Sequence, residues 1–123
     1  MENERQKFKK EFKTRIYKWV LRLVRMVDGI EKSASGQVIG KQLLRSGTSI
    51  LANYVEAESA SSKKDFTNFF NYSLKSANES KVWLSLVKDT KKAEQNEVEW
   101  LLKELIEISK VIAASILTLK GKR

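Results

Sequence analysis

The 123-residue sequence contains no proline, no cysteine and no histidine, and only five glycines. Proline breaks helices because it lacks an amide donor and clashes with the preceding turn, so its absence favours long uninterrupted helices. Without cysteine there are no disulfides, thiolate metal sites or cysteine nucleophiles. Without histidine there is no imidazole base, no serine–histidine pair and no histidine metal ligand. Most enzyme chemistry is thereby removed, and the expectation is a non-enzymatic protein with no catalytic residues, no metal and no cofactor. No apolar run approaches the roughly 20 residues that span a bilayer, so no membrane partner is expected. The opening "MENERQKFKKEF" is charged and leads into no apolar region, unlike a secretory signal, and a cytoplasmic location is expected.

What is abundant is positive charge. The 24 Lys and Arg outnumber the 15 Asp and Glu by nine, a basic balance typical of nucleic-acid binders. The excess is local: residues 1–32 carry ten basic against five acidic side chains, and residues 63–92 carry seven against three. Residues 33–62 and 93–123 are each neutral.

Apolar spacing predicts four helices over about 4–28, 37–58, 62–91 and 96–119. In the first, Phe8, Phe12, Ile16, Trp19, Val20, Leu23, Val27 and Ile30 step by three and four along one face. Tyr17, Leu21 and Val24 form a second apolar strip, more than one small bundle needs, which marks them as an oligomer or partner contact. Arg15, Lys18, Arg22 and Arg25 occupy the remaining side. The Gly- and Ser-rich "KSASGQ" reads as a break, after which Ile39, Leu43, Gly47, Ile50 and Tyr54 share a face with Gly40 nearby. Two glycines on a core face cost about 1 kcal/mol each against alanine, which suggests close helix approach.

Ser62 with Asp65 resembles a capping box that launches the third helix. Its face, Phe66, Phe69, Phe70, Ser73, Ala77, Ser80, Leu84 and Val87, narrows to a waist at Ser73, Ala77 and Ser80 that can receive another backbone. Asn96 with Glu99 reads as the cap of the fourth helix, whose face runs Val98, Leu101, Leu102, Leu105, Ile108, Ile112, Ile116 and Leu119. The tail "KGKR" is expected to be frayed and basic. Four such helices joined by short polar turns predict an all-α, antiparallel up-down-up-down bundle in one domain. The alternative is a pair of long hairpins whose core is completed by a second chain.

Three constellations carry functional readings. Ser49, Asn53 and Glu56, extended by Gln42 and Ser46, stack on one side of the second helix. They are either a solvated face or a polar row fixing register inside an interface, with Lys75 a partner for Glu56. Glu56 and Glu79 lack the histidines that carboxylate metal sites in bundles use, so structural use is preferred. Tyr72, Trp83 and Trp100 read as core or subunit contacts, with base stacking the alternative. The row Arg15, Lys18, Arg22 and Arg25 is either solvated or a phosphate-binding stripe giving affinity for RNA or DNA without sequence preference.

The stretch "GKQLLRSGTSILANYVEAESASSKKDF", followed by "LKSANESKVWLSLV", resembles the bacterial four-helix bundle proteins encoded in intervening sequences of 23S ribosomal RNA genes. That family is sometimes labelled ribosomal and is related to the accessory variability protein of diversity-generating retroelements. The matching elements are Gln42 to Ser46, Thr48-Ser49-Ile50, Ala52-Asn53, Glu56-Ala57, Ser62-Lys63, Asp65-Phe66, Glu79 and Trp83-Leu84, within residues 38–87. The resemblance implies an antiparallel bundle that assembles into a barrel-like homopentamer with a basic, nucleic-acid-associated surface. Through the retroelement relatives it also implies a reverse transcriptase or other locus-encoded protein as a partner. Ala57 stands where many members carry glycine, and the proline often found before the second helix is missing. Both departures concern helix ends.

Overall fold

The computed structural model describes residues 2–121, which form four α-helices: α1 (Glu4–Asp28), α2 (Ala34–Glu58), α3 (Lys63–Asp89) and α4 (Gln95–Leu119). Among the described residues there is no strand. Of the basic tail, Lys120 caps α4 and Gly121 follows it, while residues 122–123 lie outside the described residues. The fold is an all-α four-helix bundle. α2 packs on α3, α3 on α4, and α1 on both α2 and α4.

The helix ends follow side-chain chemistry. Asn3 and Gln6 make a reciprocal capping box at α1, each side chain accepting the other's backbone N–H. Ser62 caps α3 by accepting the Asp65 N–H at 3.1 Å. Two starts depart from the sequence reading. α2 begins three residues earlier than expected because the Ser33 hydroxyl accepts the Gly36 N–H at 3.1 Å, turning part of the supposed break into a first turn. Gly36 is required there, since a Cβ would collide with the Glu31 carbonyl. α4 is capped by Glu94 rather than Asn96, its carboxylate accepting the N–H groups of Asn96 at 2.9 Å and Glu97 at 3.0 Å. A carboxylate also suits the positive end of the helix dipole.

The core runs the length of the bundle, with Trp19, Leu23, Leu43, Ile50, Leu84, Leu101, Leu105 and Ile112 among its fully buried side chains. Each buried aliphatic side chain of this size contributes about 1.5–3 kcal/mol by removal from water. Trp19 lies among them because its indole N–H donates to the Leu101 carbonyl at 2.9 Å, leaving no buried donor unpaired. Phe8 departs from the expected core face: it is 55% exposed and stacks on Phe12 at 6.2 Å, at the end of the bundle where a cavity opens.

The small residues of α2 and α3 serve two different contacts. Ser73, Ala77 and Ser80 are buried against α2, and the Ser73 hydroxyl donates across the interface to the Ile50 carbonyl at 2.8 Å. The Ser46 and Ser80 hydroxyls meet at 2.8 Å, and Ser80 donates onward to the Ser76 carbonyl, also at 2.8 Å. Close approach of α2 and α3 is thus made by serines. The glycines of α2 face α1 instead: Gly47 leaves a notch filled by Leu23 and Trp19, and Gly40 one filled by Val27 and Ile30.

The turn between α1 and α2 docks on the turn between α3 and α4. The Glu31 N–H donates to the Lys92 carbonyl at 3.0 Å, and the Lys92 ammonium lies 3.3 Å from both Glu31 and Ser33. Four helix ends are held together at that end of the molecule.

Candidate nucleic-acid interface

Helical spacing places Arg15, Lys18, Arg22 and Arg25 along one side of α1, and packing against α4 divides them into two pairs. Arg15 forms a forked ion pair with Glu104, through Nε at 2.6 Å and Nη2 at 2.8 Å. Arg22 does the same with Glu97, through Nε at 3.1 Å and Nη2 at 2.5 Å, and its guanidinium lies 3.4 Å over the Trp100 ring. Forked arginine–carboxylate pairs are geometrically specific, and the cation over the indole face adds to the contact. The hydrogen bonds to Glu97 raise the Arg22 pKa, and the guanidinium in turn holds the Glu97 carboxyl below its usual range. Arg15 is likewise raised by its bond to Glu104. These arginines fasten α1 to α4.

Lys18 and Arg25 are exposed and have no ion-pair partner among the described residues. Seven residues apart on one helix, they stand about 10 Å from each other along the axis. Lys18 continues into a shallow groove along α1 lined also by Lys7, Lys10 and Arg15, with Glu2 and Glu11 diluting its charge. Lys75 on α3 is exposed, while burial lowers the pKa of Lys81.

Within the polar row of α2, Ser49 and Asn53 bond carbonyls of their own helix, whereas Ser46, which extends the row, meets Ser80 of α3. Ser49 donates to the Arg45 carbonyl at 2.7 Å and Asn53 to the Ser49 carbonyl at 2.9 Å, while Glu56 and Lys75 are both exposed. A further polar link between α2 and α3 runs through Gln42, the other extension of the row. Arg45 pairs with Glu79, donates to Gln42 at 3.0 Å, and shares Glu79 with the Trp83 indole N–H at 2.9 Å. The Trp83 and Arg45 bonds hold the Glu79 carboxyl below its usual range. Of the three aromatics weighed for stacking, Trp83 is held by this network and Trp100 lies under Arg22, whereas Tyr72 is 51% exposed against Phe69. On α1, Tyr17 and Leu21 stand exposed and Val24 packs partly onto the core.

Two clamps went unread in the sequence: Glu97 and Glu104 on α4, and the Gln42–Arg45–Glu79–Trp83 network. A signal for the first was present. Arg15 and Arg22 are seven apart, and so are Glu97 and Glu104, which match them in reverse order. Among the described residues no cluster of three carboxylates is placed to hold a metal, and no helix is long and apolar enough to cross a membrane.

The model of the family described as 23S rRNA-intervening sequence protein matches residues 9–114, which span all but the outer ends of α1 and α4. The chain belongs to that family. A crystal structure of a protein of unknown function from the S23 ribosomal protein family of Bacteroides thetaiotaomicron is 36% identical, with a TM-score of 0.79. The alignment covers 85% of this chain and 97% of that one. No curated protein matches the chain. The family match contains the α1–α4 clamps and the α2–α3 network, as well as the exposed Lys18 and Arg25.

Proposed function

We propose that the protein is a non-enzymatic, basic, homo-oligomeric bundle of the cytoplasm that binds RNA or DNA through its phosphates. The observation that carries this reading is a +9 chain whose Lys18 and Arg25 remain exposed and uncommitted beside two arginines already bound to α4. Lys18 and Arg25 are the phosphate contacts; Arg15 and Arg22 hold the surface that presents them and add to its field. An antiparallel up-down-up-down arrangement is supported by the pairing order of α1 with α4, since Arg15, Trp19 and Arg22 meet Glu104, Leu101 and Glu97 in turn. Homo-oligomeric assembly is supported by exposed apolar side chains on more than one side of the bundle, among them Tyr17 and Leu21 on α1 and Val82 and Leu86 on α3, and the resemblance implies five copies. Two different patches suit a closed head-to-tail ring.

Fluorescence anisotropy with a single-stranded RNA 20-mer and a DNA duplex, measured between 50 and 300 mM salt, tests the phosphate reading. Affinity falls steeply with salt and varies little with base sequence. Lys18→Ala with Arg25→Ala lowers the salt slope by about two while leaving the helical content unchanged. Absence of binding at 50 mM salt, or binding indifferent to salt, overturns it.

A second reading, a scaffold for a reverse transcriptase or other protein encoded at the same locus, is favoured by the exposed Tyr17 and Leu21. It predicts a partner complex that survives the Lys18 and Arg25 substitutions and is lost with Leu21→Glu.

A further inference from the structure

The end of the bundle opposite the docked turns has a feature that phosphate binding does not use. Here α1 begins, α4 ends and the α2–α3 turn passes, and between them lies a cavity of about 410 Å³, within the size range of small-molecule sites. Its wall is aromatic. Tyr54 stacks on Phe70 at 5.6 Å and meets the edge of Phe12 at 5.5 Å, while Phe66 leans on Phe70 at 4.7 Å.

The polar groups of this wall divide into committed and uncommitted. Ser115 and Thr118 donate to carbonyls of their own helix, at 2.9 and 3.1 Å. Glu58 is paired with Lys13 at 3.1 Å. Tyr54 is only 4% exposed as a residue, and its hydroxyl, which has no hydrogen-bond partner among the described residues, is not buried but open to solvent at the cavity. Burial and the nearby Glu58 charge push its pKa up to about 12, so it remains a donor throughout the neutral range. Arg5 and Lys9 also line the cavity and have no carboxylate partner among the described residues. The site therefore offers a deep aromatic lining, one neutral donor and two cations.

We propose that this cavity is a binding site for an amphipathic carboxylate, with the apolar body against the rings of Phe12, Tyr54, Phe66 and Phe70 and the carboxylate held by Arg5 and Lys9 and accepting the Tyr54 O–H. The chemistry favours an anion over a neutral lipid because two of the three uncommitted groups are cations and the third, the Tyr54 hydroxyl, can donate to it. It favours a carboxylate over a polyphosphate because only two cations are available and Glu58 stands close by. The inference is independent of nucleic-acid binding, which is placed on Lys18 and Arg25.

Titration calorimetry with sodium octanoate, and with 1-octanol as the neutral control, tests it on the full chain, with amide shifts locating the site. Octanoate binds saturably, one per chain, and moves the amide resonances of Tyr54, Phe66 and Phe70. Arg5→Gln with Lys9→Gln, both at exposed positions, weakens octanoate at least tenfold and leaves 1-octanol binding unchanged, which also reports an intact cavity. Tyr54→Phe weakens octanoate severalfold and 1-octanol less. The proposal is overturned if octanoate fails to bind at millimolar concentration, if 1-octanol binds as tightly as octanoate, or if the resonances that move lie elsewhere. Octanoate affinity unaffected by the Arg5 and Lys9 substitutions also overturns it, as does a cavity closed to octanoate by a second copy of the chain.

Discussion

Lys91, which follows the Thr90 cap of α3, holds the left-handed conformation, with φ at 54°. Its N–H donates to the Lys88 carbonyl at 3.2 Å and that of Lys92 to the Val87 carbonyl at 3.1 Å, the two bonds of a Schellman end. Glycine suits that position because a Cβ is strained there. Lys91→Gly is therefore expected to stabilise the protein by about 0.5–1 kcal/mol, read as a higher urea midpoint; a lower midpoint counts against a strained Lys91. Gly47 presents the opposite case. A Cβ there overlaps Leu23 Cδ2, and Leu23 is fully buried with Trp19 behind it. Overpacking costs about 1–3 kcal/mol, against about 1 kcal/mol gained in helix propensity. Gly47→Ala is thus expected to destabilise by about 1 kcal/mol, and trimming Leu23 to Val in the same chain is expected to recover part of that loss. A neutral Gly47→Ala in chemical denaturation contradicts the notch.

Between elements, the seam of α1 and α4 rests on forked ion pairs flanking the Trp19 hydrogen bond, which gives it a pH signature. Glu97 is held below the ordinary glutamate value of 4.5 by Arg22, so the folded state releases its proton more readily than the unfolded chain. The stability this contributes is complete above pH 4.5 and is lost as the pH falls through the lower folded value. Glu97→Gln is expected to cost about 0.5–1 kcal/mol at pH 7, modest because the Arg22 and Glu97 side chains are 39% and 28% exposed. The difference from the unaltered protein should shrink below pH 4.5, and a gap constant from pH 7 to 3 rules out the ion pair as its cause. The spacing of Phe12, Ile16, Trp19 and Leu23 was sufficient to orient α1, and Ser62 sufficient to start α3, because both follow from local geometry. The fate of Arg15 and Arg22 depends on which helix lies alongside, and single-helix periodicity contains no such information. Ser33 and Glu94 as caps were hidden for another reason: glycine and serine nearby resemble a break, and Asn96 with Glu99 fits the capping pattern equally well. Tyr54 reads as a core residue from its spacing, whereas the cavity beside it depends on how α1 begins and α4 ends.

At the scale of the whole molecule, the exposed apolar side chains are too spread out for one self-complementary patch. Tyr17 and Leu21 lie on α1, Val82 and Leu86 on α3, and α1 and α3 are not adjacent helices in the bundle. An isologous dimer covers the same patch on both subunits and leaves the other side wet, whereas a head-to-tail ring covers both. Sedimentation equilibrium is therefore expected to give an assembly of several 14.2 kDa chains, five in the proposed ring, rather than a dimer. Leu21→Glu and Val82→Glu should each disrupt it alone, since each occupies one half of the same heterologous contact, while both variants retain full helical content because neither side chain is in the core. Mixing the two variants supplies the crucial comparison. Each retains one intact half, so an equimolar mixture should recover a dimer through the one productive pairing but no closed ring. Recovery of the full ring on mixing, or a monomeric unaltered protein at micromolar concentration, contradicts a head-to-tail contact between these faces. A ring that forms also multiplies Lys18 and Arg25 around its circumference, and binding to several phosphates at once then steepens the salt dependence of the assembly relative to either variant.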